Sequence, residues 1–348
     1  MKGIGLVFAG GGGKGAYEIG VWKYLDEIGL DQYVRSVSGT SVGALNAALF
    51  VGSSYEIAED LWLNIEPKKI LSPKEIKPED VVKFLAAAGI SLAGPMGRIS
   101  SLVLSETAMG AETIVQLLLT RIRSDYMFSR SGLIELIHDG INFPLLQNSD
   151  VLCFATCLRC SSLKVERFKL NELDTDGIIK VLLASSAIPV VFLNEEFKGH
   201  KYCDGGVPIV GDNIPIAPIY ETGVEHIFVV HLSRESIIDK DKYPNSTIIE
   251  IVPSIDLGNA LTGTLDFTPD GSAKRIEQGY ADAKRTLQPM VDMLKLNAES
   301  QMILKAAQKK MGEFKVKKAK LMGTGNEIKA EMQKDGFNDL FNELMKEK

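Results

Sequence analysis

The chain has 348 residues, of which 45% are hydrophobic and 24% charged, a composition typical of a globular protein with one large domain and an appendage, or two domains. Its formal net charge of −6 at pH 7 argues against a nucleic-acid-binding protein, which usually presents a basic face. We see no secretory signal, and the most apolar stretch, residues 81–104, is interrupted by Lys83, Pro95 and Arg98. We therefore expect a cytoplasmic protein without a transmembrane helix.

The first fifty residues contain two strand–turn–helix units. Residues 2–9 form a short apolar run that ends in glycines and predicts a strand, and residues 16–29 carry apolar side chains at helical spacing. A second strand is predicted at 34–39 and a second helix, built of small residues, at 41–52. This repeated alternation predicts an α/β fold with a mainly parallel sheet.

The pattern changes twice further along the chain. Residues 53–148 are mostly helical in pattern and include an apolar, glycine-containing segment at 85–97. Strands and a helix alternate again at 151–158, 164–170, 177–185 and 226–232. We expect residues 236–271 to form a loop-rich connection and residues 272–348 a helical C-terminal segment.

Four consecutive glycines, Gly10 to Gly13, follow the first predicted strand, and Lys14 and Gly15 come next. The Gly-x-Gly-x-x-Gly spacing fits a dinucleotide-binding loop, but the second strand ends without the acid that would hold a ribose hydroxyl. A P-loop is excluded because Gly15 follows Lys14 where Ser or Thr is required. Dinucleotide binding remains the weaker alternative. The other is a loop whose backbone N–H groups surround an oxyanion during a reaction.

The second motif, GTSVG at 39–43, has the Gly-x-Ser-x-Gly form of a nucleophile elbow. It lies where a predicted strand gives way to a helix, so Gly39 and Gly43 would allow a sharp turn that exposes Ser41. The helix that begins behind Ser41 also directs its first N–H groups toward negative charge. We therefore predict Ser41 as a nucleophile, with the N–H groups of Val42 and of the glycine run as oxyanion donors.

A serine nucleophile needs a base, and the sequence offers two candidates. The histidines are His138, His200, His226 and His231. His231 follows an apolar strand, somewhat as the histidine of an α/β-hydrolase does. Asp204 ends a short strand segment before Gly205 and Gly206, a pattern most often found in turns. Because a free Asp has a pKa of about 3.9, Asp204 would be a weak base unless a dry site raises that pKa. The residues alone leave both candidates open.

The four cysteines do not predict a metal site. Cys153, Cys157 and Cys160 lie in one apolar run that reads as a buried strand, and Cys203 lies apart from them. Cys153 and Cys157 would share one face of that strand and Cys160 the other, which is poor geometry for a single ion. We expect buried thiols and no metal.

Four motifs taken together resemble the patatin-like phospholipase family. They are GGGGKGAYEIGV at 10–21, GTSVG at 39–43, ASSAIPVVF at 184–192 and DGGVP at 204–208. The resemblance covers roughly residues 3–235 and marks 1–235 as the expected catalytic domain, with 53–148 as an insertion and possible lid. It implies a three-layer α/β/α sandwich, a Ser–Asp dyad and no catalytic histidine, metal or cofactor.

Carried over by position, the resemblance implies Ser41 as nucleophile, Asp204 as base and Gly10, Gly11, Gly12 and Gly13 as the oxyanion loop. Lys14 stands where the family has Arg or Lys and is expected to hold an anionic head group or the loop itself. Gly15, Gly39, Gly43, Gly205 and Gly206 support these motifs, and Pro189 is expected in the wall of the substrate channel. The sequence after Asp204, VPIVGDNIP, departs from the common pattern, so the adjoining loop is expected to differ in shape.

The resemblance implies hydrolysis of carboxylic esters of phospholipids or other acyl lipids, with the protein peripheral to the membrane when active. Two alternatives remain: an effector gated by an activating partner, a ligand or a homo-oligomer, and a Ser–His esterase that uses His231. Residues 85–97 are either a lid or a buried hairpin. Residues 305–320, with seven lysines and one acid, either dock on anionic lipid or form a solvated helix.

Overall fold

The computed structural model describes residues 3–65, 72–73, 128–188, 192–334 and 336–346. Two compact units divide the chain, Met1–Thr286 and Leu287–Lys348. Most of the predicted insertion at 53–148, including the apolar segment 85–97, lies outside the described residues, as does Pro189.

The regular elements of the described residues follow the chain in this order. The strands are β1 (Ile4–Phe8), β2 (Val34–Thr40), β3 (Ser72–Pro73), β4 (Phe128–Ser129), β5 (Leu152–Arg159), β6 (Lys164–Lys169), β7 (Glu195–Phe197), β8 (His200–Asp204), β9 (His226–Val230) and β10 (Thr247–Ile251). The helices are α1 (Ala16–Glu27), α2 (Val42–Gly52), α3 (Tyr55–Leu63), α4 (Ser131–Gly140), α5 (Phe143–Gln147), α6 (Thr175–Ser185), α7 (Ala217–Tyr220), α8 (Pro269–Lys334) and α9 (Phe337–Lys346).

An eight-stranded mixed sheet forms the centre of the first unit. Its order is β10-β9-β1-β2-β5-β8-β7, with β6 paired to β5. The five strands from β10 to β5 run parallel, whereas β6, β7 and β8 pair antiparallel with their neighbours. The predicted α/β fold with a mainly parallel sheet is therefore confirmed.

Helices cover both faces of this sheet because its central strands are buried on both sides. All five residues of β1 are buried. Successive side chains of a strand point to opposite faces, and Val7 packs with Ile216 and Ile219 around α7. On the other face α2 packs against β1 and β2, where Gly43 meets the Phe8 carbonyl. The result is the three-layer α/β/α sandwich that the resemblance implied.

The start of α8 belongs to the first unit and packs closely against α1. A Cβ at Gly20 would overlap the carbonyl of Ile276, and one at Gly279 would overlap the carbonyl of Tyr17. The Tyr17 hydroxyl also donates a hydrogen bond of 3.1 Å to Asp282. These contacts hold the first turns of α8 beside the glycine-rich loop that precedes α1.

The second unit consists of the rest of α8 and α9. Many of its apolar side chains are exposed, among them Met302, Phe314 and Leu321. Within the described residues, no helix combines the length and the apolar character needed to cross a membrane. Inside the predicted loop-rich connection at 236–271, residues 247–251 form β10 and Ala260–Thr264 form a π-helix.

Candidate active site

Ser41 occupies a sharp turn between β2 and α2. Its backbone angles are φ 57° and ψ −125°, a left-handed conformation that costs free energy for a residue with a side chain. A Cβ at Gly39 would overlap the backbone of Gly43, and one at Gly43 would overlap the carbonyl of Phe8. Both glycines of the GTSVG motif are therefore required by close packing around the Ser41 turn.

Asp204 ends β8, and its carboxylate lies close enough to the Ser41 hydroxyl for that hydroxyl to lower the pKa of Asp204. The Gly206 N–H donates a hydrogen bond of 2.7 Å to Oδ1 of Asp204. Asp204 is 5% exposed. Burial raises its pKa to about 6, against the opposing effects of the Ser41 hydroxyl, the Gly206 N–H and the charge of Arg130. The predicted nucleophile and the predicted acidic base thus lie together, and the base is poised near neutral pH.

Ser185 holds the turn from the opposite side. The Ser41 N–H donates to Oγ of Ser185 at 2.9 Å, and that hydroxyl donates in turn to the Thr156 carbonyl at 2.7 Å. Gly205 lies against the same carbonyl, which leaves no space for a side chain. The sequence singled out ASSAIPVVF as a motif but assigned no role to Ser185; only the contact across the sheet reveals it.

Gly10 forms hydrogen bonds with Asn213 in the loop that follows β8. Its N–H donates to the Asn213 carbonyl at 3.1 Å, and Nδ2 of Asn213 donates back to the Gly10 carbonyl at 3.1 Å. A Cβ at Gly10 or Gly206 would overlap Oδ1 of Asn213. In contrast to the expectation, the Gly10 N–H is therefore occupied, and Gly11, Gly12, Gly13 and Val42 are left as the candidate oxyanion donors.

The remaining candidate donors lie at the starts of two helices. Gly12 has φ +58° and opens a short 3₁₀-helix, Gly12–Gly15, while Val42 is the first residue of α2. The first N–H groups of a helix have no acceptor within it. Cβ atoms at Gly12 and Gly13 would overlap the carbonyls of Thr264 and Asp266. The glycine loop therefore packs against the π-helix segment. The N-terminal ends of the 3₁₀-helix and of α2, which carry partial positive charge, lie beside it.

Arg275 of α8 connects the glycine loop to the π-helix segment and to Asp266. Its guanidinium donates to the carbonyls of Gly13 (3.4 Å), Asp266 (3.0 Å) and Thr262 (2.7 Å), and forms an ion pair of 2.7 Å with the Asp266 carboxylate. Its side chain is 7% exposed. Sequence reasoning missed this residue, because no spacing in the sequence links position 275 to position 13.

Lys14 lies beside the same segment. Burial lowers the pKa of Lys14, nearby Asp256 opposes that effect, and the charge of Arg275 adds to it. A Cβ at Gly263 would approach the Lys14 side chain to 2.6 Å, which places Lys14 against the π-helix. Of the two predicted roles, these contacts favour holding the loop.

A buried network joins the glycine loop to the helix behind Ser41. Nδ2 of Asn46 donates to the Gly15 carbonyl (3.0 Å) and to Glu18 (2.7 Å), and Nε1 of Trp62 donates to Oδ1 of Asn46 (3.1 Å). Glu18 is fully buried, and burial raises its pKa well above the ordinary value. Neither Asn46 nor Glu18 was predicted as a site residue, although Glu18 lies within the motif at 10–21 and Asn46 within the predicted helix at 41–52.

An apolar cavity begins at Ser41 and Gly12. Its walls include Leu45, Trp62, Ile137, Ile188, Phe192 and Phe267. The rings of Trp62 and Phe267 stack at 6.4 Å with an angle of 15° between their planes. A lining of this kind suits a hydrocarbon chain.

His231 follows β9 but contacts other groups. Its Nε2 lies 3.0 Å from Oε2 of Glu250, whose other oxygen pairs with Nζ of Lys240 at 2.7 Å. His231 is fully buried, and burial lowers its pKa against the opposing effect of Glu250. The structure therefore pairs Ser41 with Asp204 and pairs His231 with Glu250.

The described residues contain no group of three or more His, Cys, Asp or Glu side chains placed to hold a metal ion. The four cysteines are free thiols; Cys153, Cys157 and Cys203 are buried and Cys160 is partly exposed. Burial raises the pKa of Cys153 and of Cys157.

A family model described as "Patatin-like phospholipase" matches residues 6–220. No curated protein sequence matches the chain.

Solved structures of similar proteins include two bacterial proteins. VipD from Legionella pneumophila is 18% identical, with 83% of this chain and 67% of that chain covered and a TM-score of 0.49. The type III effector protein ExoU, from the type III secretion system of Pseudomonas aeruginosa, is 19% identical, with coverages of 82% and 52% and a TM-score of 0.40. The chain spans about half the length of ExoU.

Proposed function

Because the chain belongs to the patatin-like phospholipase family, whose members are lipid acyl hydrolases, we propose that it cleaves carboxylic esters of phospholipids through a Ser41–Asp204 dyad. The observation that carries this proposal is the proximity of the buried Asp204 carboxylate to the hydroxyl of Ser41, which lines an apolar cavity. The proposed type is a phospholipase A or lysophospholipase that works without a metal or cofactor.

In the proposed first step, the Ser41 oxygen attacks the ester carbonyl while Asp204 accepts the hydroxyl proton. The negative charge that develops on the carbonyl oxygen meets the N–H groups of Val42 and of Gly11 to Gly13. Collapse of the tetrahedral intermediate breaks the bond to the glycerol oxygen, which leaves with the proton from Asp204. The acyl group then remains on Ser41, with its chain in the cavity.

In the second step, water attacks the acyl carbon and Asp204 accepts a proton from that water. The tetrahedral intermediate collapses, the bond between the acyl carbon and the Ser41 oxygen breaks, and that oxygen takes back the proton from Asp204. The fatty acid is released and the site is regenerated. A base whose pKa lies near 6 suits both steps, because it is ionised at neutral pH yet accepts a proton more readily than an ordinary carboxylate. The alternative base, His231, has its buried ring against Glu250.

We also propose that the second unit contacts the membrane surface. Exposed apolar side chains there, including Met302 and Phe314, lie within or beside the lysine-rich stretch 305–320. Lysines next to exposed apolar groups favour the interface of an anionic bilayer. Replacing Lys317, Lys318 and Lys320 by glutamine is then expected to weaken cosedimentation with anionic vesicles and to leave binding to zwitterionic vesicles unchanged.

The first experiment measures fatty-acid release from phosphatidylglycerol vesicles and covalent labelling by a fluorophosphonate, which reacts with activated serines. We expect wild type to release fatty acid and to be labelled at Ser41, and Ser41→Ala to do neither. Labelling elsewhere, or release by Ser41→Ala, would contradict the proposal. Labelling of Ser41 without release from any lipid would instead favour the gated alternative, in which a partner or ligand is missing.

A further inference from the structure

Two of the free cysteines, Cys160 and Cys203, lie together beside the candidate base. Cys203 is buried and directly precedes Asp204 in β8. Cys160 directly follows β5 and is partly exposed, and its N–H donates a hydrogen bond of 2.9 Å to the Lys201 carbonyl. Since Cys203 pairs with Leu158 across the two strands, Cys160 and Cys203 are diagonal neighbours on one face of the sheet.

The packing of the side chains agrees with this register. Cys203 belongs to a buried apolar cluster whose other members are Leu158, Ala187 and Val207. Cys160 packs against the same cluster. The two thiols therefore share one face of the sheet, with the Cys160 residue toward solvent and Cys203 beneath it.

The two thiols differ in acidity. The Cys203 thiol lowers the pKa of Cys160, the N–H of Cys160 and the charge of Lys201 act in the same direction, and burial opposes them. The Cys160 thiol and burial raise the pKa of Cys203 well above its ordinary value. The thiolate is the form of cysteine that reacts with oxidants. Cys160 is therefore the residue that reacts first, and Cys203 is its protonated neighbour.

Strand β5 also sets the spacing of the two candidate catalytic residues. Along one edge it pairs with β2, where Thr40 is opposite Thr156, and then with β8, where Asp204 is opposite Cys157. The other edge of β5 is occupied by β6 along the same stretch. The strand that leads to Ser41 and the strand that ends at Asp204 therefore meet β5 at consecutive residues. A shift of β8 along β5 changes their spacing directly.

We propose that Cys160 and Cys203 form a redox-sensitive pair, which a hydroperoxide oxidises to a disulfide that shifts β8 and disables the site. The Cys160 sulfur attacks the peroxide, the O–O bond breaks, and the leaving oxygen takes the proton that Cys160 released, so that Cys160 becomes a sulfenic acid. The Cys203 sulfur then attacks the Cys160 sulfur, and the hydroxyl leaves as water with the Cys203 proton. The two sulfurs lose two electrons, which the hydroperoxide gains.

The disulfide acts on the site because it cannot close without movement of a strand. Diagonal neighbours in a sheet lie about 7–8 Å apart, whereas a disulfide holds its two Cα atoms about 4.4–6.8 Å apart. The bond draws Cys203 toward the end of β5, and Asp204 moves with it, away from Ser41. A misplacement of about 1 Å can cost about a hundredfold in rate. The effect on activity rests on the proposed function, whereas formation of the disulfide does not.

The test treats the full chain with hydrogen peroxide, maps disulfides by mass spectrometry and measures the rate of fluorophosphonate labelling at Ser41. We expect a Cys160–Cys203 disulfide and labelling slowed at least about tenfold, both reversed by dithiothreitol. Cys160→Ser should keep the basal labelling rate and lose the response to peroxide. The matched control is Cys153→Ala, which removes a buried thiol of β5 outside the pair and should respond as wild type does.

Four free thiols after peroxide, or a disulfide between other cysteines, would overturn the pair. A Cys160–Cys203 disulfide with an unchanged labelling rate would overturn its effect on the site. Amide hydrogen exchange across β8 is the readout that needs no catalysis, and we expect it to be faster in the oxidised protein. If Ser41 is never labelled, the proposed function fails, and the disulfide map with the exchange rates still decides this inference.

Discussion

Two buried titratable sites follow strands of the same sheet, and they differ in their partners. Asp204 faces the Ser41 hydroxyl and a backbone N–H, and the cation that influences it, Arg130, is hydrogen-bonded to Glu195 instead. His231 faces Glu250, which is shared with Lys240. The first site places a carboxylate near a serine hydroxyl, whereas the second places a histidine against a carboxylate that is shared with a lysine.

The difference shows why burial alone does not identify a base. Burial raises the pKa of Asp204 and lowers that of His231, so it favours the neutral form of both groups. Asp204 nevertheless faces the group whose proton must be removed, and His231 faces a carboxylate that already accepts. Geometry therefore decides the role, and the pKa determines the pH at which that role is performed.

The largest effect is expected from replacing the two candidate bases one at a time. Asp204→Asn keeps the shape but cannot accept a proton, and should lower fatty-acid release by about 10²–10⁴-fold. His231→Gln should stay within about threefold of wild type, because the ring contacts Glu250 and not Ser41. Both variants need a melting curve as a folding control. A collapse of activity in a folded His231→Gln protein would refute the dyad.

A smaller effect is expected from removing the side chain of Arg275, which supports the glycine loop. Arg275→Met removes the donors to Gly13, Thr262 and Asp266, so the oxyanion loop should lose its position and kcat should fall about ten- to a hundredfold, with KM little changed. The matched control is Arg285→Met on the same helix, where the arginine is 56% exposed and pairs with Asp282 at 2.7 Å. Equal losses in the two variants, or a loss confined to KM, would argue against a positioning role for Arg275.

The smallest effect concerns pH. Because the base must be ionised and its pKa is raised to about 6, kcat/KM should rise tenfold per pH unit below pH 6 and level off above it. A midpoint near 4 would indicate an ordinary solvated carboxylate. Arg130→Met should move the midpoint upward, since the charge of Arg130 favours the ionised form of Asp204.

Much of the fold was predictable because its signals are local. The two strand–turn–helix units appear in the sequence as apolar runs and glycine turns, and β1, α1, β2 and α2 lie within a residue or two of the predicted bounds. The strand β10 was missed inside the predicted loop-rich connection. Five residues at a sheet edge carry little periodicity, and only pairing with β9 identifies them as a strand.

The sequence by itself determined the family, the α/β class and the motifs that carry Ser41 and Asp204, because each is a short pattern of residue types. Only the tertiary structure decided which groups meet. It brought Asp204 close to Ser41 across 162 intervening positions of chain and placed the Arg275 guanidinium against the Gly13 carbonyl. Such contacts depend on the packing of distant segments, and packing has no signature in local spacing.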